Sequence, residues 1–340
     1  MLPSTRYLGS KRKIVDWIWS QIGNLRFDTF LDAFGGTGIV SYYAKRCGKR
    51  VTYNDVLKFN YQVGISLIEN NSVRLSDSDI NFLLSRHEKI NYPTFIQDTF
   101  KDIYYTDDEN KWLDMVVTNV KMLSDKYKKA LAFAALGQAC LVKRPFNLFH
   151  RRNLNLRLNN VKRSFHNHVT WNKSFEEHFR TFIKEYNSLV FSNGRYNDAY
   201  NLDVFDLDFV DADVVYLDPP YIPIKGEKPN YHLYYHFLEG LVNYDKWMDM
   251  IDSNDSIKAI KSPSSPWTDR SKVISAFDKV FRMFRYAKYI IVSYRSDGIP
   301  SAGEIYALLK KHKQCVELKR KSFQYVLSTK KTEELLFIAY

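Results

Sequence analysis

The chain has 340 residues, 45% hydrophobic and 26% charged, which supplies one large core or a core plus a second domain and argues against disorder. Lys and Arg (50) exceed Asp and Glu (38) by 12, which points to a polyanionic partner. No apolar run reaches the roughly 18 residues of a membrane span, the basic start with Arg6, Lys11, Arg12 and Lys13 lacks the apolar core of a secretory signal, and the scattered Cys47, Cys140 and Cys315 exclude a disulfide framework or zinc ribbon and fit a reducing cytoplasm.

The N-terminal third reads as a βαβ unit. Apolar residues at Ile14, Trp17, Ile18 and Ile22 predict a helix over 13–22. The apolar run 29–34 predicts a buried strand that ends at a glycine cluster. A helix over 39–47 and an alternating strand over 50–54 follow. From 59 to 189 helical periods dominate, at 61–69, 77–86, 112–123, 127–142 and 175–189. Strand signals return at 213–217, 289–294, 323–327 and 334–339, with helices at 245–251, 269–281 and 303–312. The chain thus reads as α/β, then a helical insertion, then α/β. The simplest architecture is a doubly wound, Rossmann-like sheet with helices on both faces, built from 1–56 and 193–340 and interrupted by a mainly helical domain at 57–192.

The positive charge is concentrated. Between Gln138 and Phe175 lie Lys143, Arg144, Arg151, Arg152, Arg157, Lys162, Arg163 and Lys173, with no Asp or Glu among them. Asn155 and six further asparagines are interleaved with aromatic residues. Arg and Lys meet phosphates, and Asn and Arg read base edges, so this segment is the expected nucleic-acid surface. His166 and His168 fall in the same segment without a third ligand, and no metal site is expected.

Two strand ends carry candidate chemistry. Asp32-Ala33-Phe34-Gly35-Gly36-Thr37-Gly38 occupies the first strand-to-helix turn, where closely spaced glycines let backbone N–H groups approach a ligand. Asp55, about 20 residues on in Asn54-Asp55, stands where such sheets recognise ribose hydroxyls. The glycine spacing is not GxGxxG, which argues against a dinucleotide and a dehydrogenase. Asp218-Pro219-Pro220-Tyr221 follows the strand 213–217. Its prolines stop the sheet rigidly and offer a carboxylate, a carbonyl outside the ladder and an aromatic face. That set suits a planar base with an exocyclic amine.

Together these residues resemble the Dam-like, alpha-group DNA adenine-N6 methyltransferases, and the motifs run in that family's order. The resemblance implies S-adenosylmethionine as cofactor, with Tyr7, Gly9 and Lys11 of Tyr7-Leu8-Gly9-Ser10-Lys11 at its methionine end. Asp32, Phe34, Gly35, Gly36, Thr37 and Gly38 resemble the cofactor loop, and Asn54 with Asp55 resembles the ribose motif. Asp203 and Val204 resemble the motif beside the cofactor adenine, where Asp203, Asp206 and Asp208 are all candidates for the acid. Asp218, Pro219, Pro220 and Tyr221 resemble the catalytic motif, with Asp218 also near the cofactor, and Ser293-Tyr294 a motif supporting the pocket.

By the same resemblance, the basic insertion is a target-recognition domain that binds double-stranded DNA. The enzyme is then a cytoplasmic monomer, acts on a flipped adenine without metal, and belongs to a restriction-modification or phage/host modification system with a possible cognate endonuclease. The same chemistry on cytosine N4 or RNA adenine, and an inactive DNA-binding module, are the competing readings.

Overall fold

In the computed structural model, residues 2–4, 6–159, 167–323 and 332–340 are described. The chain divides into two compact units. The first comprises 1–10, 57–192 and 231–262, and the second 11–56, 193–230 and 263–340.

Among the described residues the second unit has nine strands: β1 (Thr29–Asp32), β2 (Arg50–Asn54), β3 (Asp198–Tyr200), β4 (Val214–Leu217), β5 (Ile222–Pro223), β6 (Tyr289–Arg295), β7 (Gly298–Ile299), β8 (Val316–Phe323) and β9 (Thr332–Ala339). Seven form one sheet in the order β3-β2-β1-β4-β6-β9-β8, and β5 pairs with β7 separately. The first five in that order are parallel, while β9 runs antiparallel to both β6 and β8. Parallel strands covered on both faces read as continuous apolar runs, and β4 is buried at all four positions. On one face Leu31, Val215, Leu217, Ile290, Val292 and Phe337 pack with the helices Val273–Met283 and Ala302–His312. On the other, Phe30 meets Trp19 of the helix Val15–Ile22 and Tyr216 of β4. The expected α/β sheet flanked by helices is therefore present.

From β1 the chain winds outward through β2 to β3, whereas β4 and β6 extend the other way. The order reverses between β1 and β4. Ligands of open α/β sheets bind beyond the carboxyl ends of the strands at such a reversal.

The first unit is mainly helical. The helix Lys126–Val142 is buried over most of its length, between the helices Asp107–Met122 and Phe175–Leu189. Its membership differs from the sequence expectation, which left 231–262 with the sheet. The helix Tyr231–Val242, which the periodicity did not predict, buries Tyr235, His236 and Phe237. Phe149 stacks on Phe237 at 5.1 Å, and the Tyr104 hydroxyl lies 2.7 Å from His236 Nε2. These contacts join 231–262 to the helical unit rather than to the sheet. The short β3, β5 and β7 were also not predicted. The predicted strand at 323–327 begins where β8 ends, and 324–331 lie outside the described residues.

Candidate active site

The glycine turn is fixed by what surrounds it. Gly36 and Gly38 hold φ of +50° and +68°, a region that costs an L side chain strain. Gly35 has a different constraint: a Cβ there would fall 2.1 Å from Cε2 of the buried Tyr53. The Tyr53 hydroxyl donates to the Gly36 carbonyl at 2.8 Å, and the Gly36 N–H donates to Asp55 Oδ2 at 2.8 Å. Gly38 caps the helix Ile39–Arg46. Asp55 thus braces the turn and belongs to the same corner of the sheet. Phe34 lies edge-on to Trp267, and Phe205 stacks on that indole at 5.9 Å.

Asp32 is buried. Its Oδ2 accepts the Ser41 hydroxyl at 2.6 Å, and its Oδ1 has no hydrogen-bond partner among the described residues. Burial pushes its carboxyl up to about 7, with the Asp218 and Asp55 charges adding to the effect and the Ser41 bond opposing it.

Asp218 follows β4 directly, and its side chain is 20% exposed. Lys11 Nζ lies 3.0 Å from Asp218 Oδ1 and 2.9 Å from Oε1 of the fully buried Glu334. Ser293 Oγ donates to the same Glu334 oxygen at 2.9 Å. Burial raises the Asp218 carboxyl to about 6, with Lys11 pulling it down and Glu334 pushing it up. Tyr221 is clamped: Arg295 donates to its hydroxyl at 2.8 Å, lies 4.7 Å from its ring centroid and forks onto Asp297. Tyr294 stands edge-on to it at 6.2 Å.

The second unit carries Lys11, the Asp32–Gly38 turn, Asp55, Asp203 and the Asp218–Tyr221 turn, with Lys11 on Asp218 and Asp55 on the glycine turn. Tyr7 and Gly9 belong to the first unit. There Tyr7 stacks on Tyr235 at 4.3 Å, and a Cβ at Gly9 would lie 3.0 Å from the Tyr231 hydroxyl. Three of the expected cofactor positions are engaged within the protein itself. Asn54 is buried and ties the turn to the chain beyond β3, donating to the Ala33 and Leu202 carbonyls, so its amide serves the fold. Val204 sits in the apolar core, while Asp203 is exposed and caps the turn that follows it by accepting the Phe205 N–H. Lys11 is engaged by two carboxylates. Sequence reasoning missed Glu334, Arg295 and Trp267, which no motif marks.

The basic segment is corrected in the same way. Lys143 and Arg157 bind Glu109 at 2.8 and 2.6 Å inside the first unit. Glu109 is itself the capping-box residue of Asp107–Met122. Burial alone would raise the Glu109 carboxyl, but Arg157 and Lys143 hold it below its ordinary range. Arg144 is 1% exposed and donates to the carbonyls of Leu148, Arg151 and Arg152. These three cations are consumed by the fold, because a buried charge needs a partner. Arg151, Arg152 and Asn155 are exposed. Lys162 and Arg163 lie outside the described residues.

Among the described residues no cluster of His, Cys, Asp or Glu suits a metal, and no helix is long and apolar enough to cross a membrane. Residues 7–246 match the family described as D12 class N6 adenine-specific DNA methyltransferase. The chain is 31% identical over 352 aligned positions to the Type II methyltransferase M2.HphI of Haemophilus parahaemolyticus, covering 99% of this chain and 97% of that one. It is 26% identical to M.FokI of Planomicrobium okeanokoites, covering 90% of this chain but 47% of that longer protein. To M.NlaIII of Neisseria lactamica it is 24% identical, covering 88% and 86%.

Proposed function

Since the chain belongs to the D12 class N6 adenine-specific DNA methyltransferase family, and so methylates N6 of adenine at specific sites in DNA, we propose that S-adenosylmethionine is its methyl donor and that Asp218, Pro219 and Tyr221 hold the target base. The observation that carries this reading is the adjacency of two turns at the β1/β4 reversal. One offers glycine N–H groups braced by an acid, and the other a carboxylate, a carbonyl and an aromatic ring.

The donor set fits the cofactor. Asp55 directly follows β2, where a carboxylate meets ribose hydroxyls, and the Phe34, Phe205 and Trp267 rings offer apolar surface for a purine. When bound, S-adenosylmethionine supplies an electrophilic methyl on a sulfonium. The protein's part is positioning and electrostatics. An adenine inside a duplex is out of reach and must be flipped out, at a cost of a few kcal/mol that contacts to the flipped base and the phosphates offset. Tyr221, held rigid by Arg295, offers a stacking face. Ionised Asp218 and the Pro219 carbonyl accept the two N6 hydrogens, which turns the nitrogen lone pair out of the base plane. Pro220 keeps that turn from relaxing.

The motif order supports the alpha group. The helical unit, with exposed Arg151, Arg152 and Asn155, is the target-recognition domain in this reading, although Lys143, Arg144 and Arg157 are not its contacts. Relatives named as Type II methyltransferases favour a place in a restriction-modification system. The test is incubation with labelled S-adenosylmethionine and unmodified double-stranded DNA, with RNA in parallel, followed by nucleoside mass spectrometry. N6-methyladenine in DNA alone supports the reading; label confined to RNA or to cytosine overturns it.

A further inference from the structure

We infer that Glu334 is a positioning residue for methyl transfer: through Lys11 it fixes the orientation of the Asp218 carboxylate that receives the target amine. The inference rests on the role proposed for Asp218 above. Glu334 is fully buried on β9, which pairs with β6, the strand that carries Ser293. Its Oε1 accepts Ser293 Oγ at 2.9 Å and lies 2.9 Å from Lys11 Nζ. Lys11, itself almost wholly buried, reaches 3.0 Å to Asp218 Oδ1. A flexible four-carbon chain held at two points has one place for its ammonium.

That ammonium occupies Oδ1 and leaves Oδ2 for a second donor, which is what an acceptor of one amine hydrogen requires. A buried carboxylate is costly unless paired, so Ser293 and Glu334 together have a defined role, which is to hold the Lys11 charge in place. The resemblance places Lys11 at the methionine end of the cofactor, and the geometry gives it two carboxylates.

The groups facing Asp218 are Lys11 and Glu334, with Asp32 at the end of β1, Tyr216 on β4 and, beyond Tyr221, Arg295 on β6. Glu334 acts on the Asp218 carboxyl in the upward direction. Its neutralisation removes that push while a loosened Lys11 removes an opposing pull, so the link is read from the rate and not from the position of the acid limb.

The experiment is Glu334→Gln in the full chain, with single-turnover methylation of DNA followed from pH 5 to 9 and the dissociation constants of S-adenosylmethionine and DNA measured separately. The expected result is a rate on the order of tenfold to a hundredfold lower, with both dissociation constants within about twofold of wild type. Glu334→Asp, which keeps the charge, should recover part of the rate. A weaker S-adenosylmethionine affinity with an unchanged rate would assign Lys11 to the cofactor and overturn the inference, as would equal rate losses in Glu334→Gln and Glu334→Asp. If Glu334→Gln fails to fold, Ser293→Ala reads the same link, with a several-fold rate loss expected and none overturning it. Asp218→Asn separates the two claims: turnover in that variant sinks the role of Asp218 itself, whereas a dead Asp218→Asn beside a wild-type-like Glu334→Gln sinks only the role of Glu334.

Discussion

Asp55 Oδ2 accepts the backbone N–H of Gly36 at 2.8 Å, so the acid that follows β2 also sets the shape of the turn that follows β1. Loop and acid form one unit of structure. Removing the carboxylate should therefore harm cofactor binding twice, by losing an acceptor and by freeing the turn. Asp55→Ala is expected to weaken S-adenosylmethionine binding by about a hundredfold and Asp55→Asn by about tenfold, read by calorimetry. Equal losses in the two variants would show that Asp55 does not brace the turn.

Gly35 tests the packing behind that turn. An added methyl would meet the Tyr53 ring at 2.1 Å, and Tyr53 is buried with its hydroxyl committed to Gly36. Gly35→Ala should destabilise the protein by about 1–3 kcal/mol, lowering Tm in thermal unfolding. Gly303, which has nothing within 4 Å of its would-be Cβ in the helix Ala302–His312, is the control, and Gly303→Ala should be neutral or stabilising.

Activity should depend on an acid limb near pH 6. The Asp218 carboxyl is raised to about 6 by burial against the pull of Lys11, and only its ionised form accepts an amine hydrogen. Lowering the pH through 6 therefore removes the competent form, and the single-turnover rate should fall about tenfold per pH unit below it. A limb near pH 4, the ordinary carboxylate range, would contradict the raised value.

The cations of the basic segment should separate into two groups. Lys143→Ala leaves Glu109 with one partner fewer and should cost about 3 kcal/mol of stability with little change in the salt dependence of DNA binding. Arg151→Ala and Arg152→Ala should leave Tm unchanged, weaken DNA binding, and lower the slope of log affinity against log salt by about 1 each. Loss of DNA affinity in stably folded Lys143→Ala would return that residue to the interface.

The sequence by itself determined the βαβ start, the two turns proposed to carry the chemistry and their order. These are local features: an apolar run, glycines where φ is positive, and prolines that stop a strand are legible because their physical causes lie within a few residues. It also marked where positive charge gathers. Only the tertiary structure decided which of those charges face solvent, because Glu109, on a helix that precedes both Lys143 and Arg157 in the chain, is what draws the two inside. The same holds for Glu334 and Arg295. Both lie on late strands, and each meets its turn, through Lys11 or directly at Tyr221, by sheet packing between segments far apart in the chain, which no periodicity records. The helix Tyr231–Val242 was missed for a related reason: its face is aromatic rather than aliphatic, and its place was set by the rings it stacks on. Pattern reveals what each segment can form; burial and pairing decide what each side chain is used for.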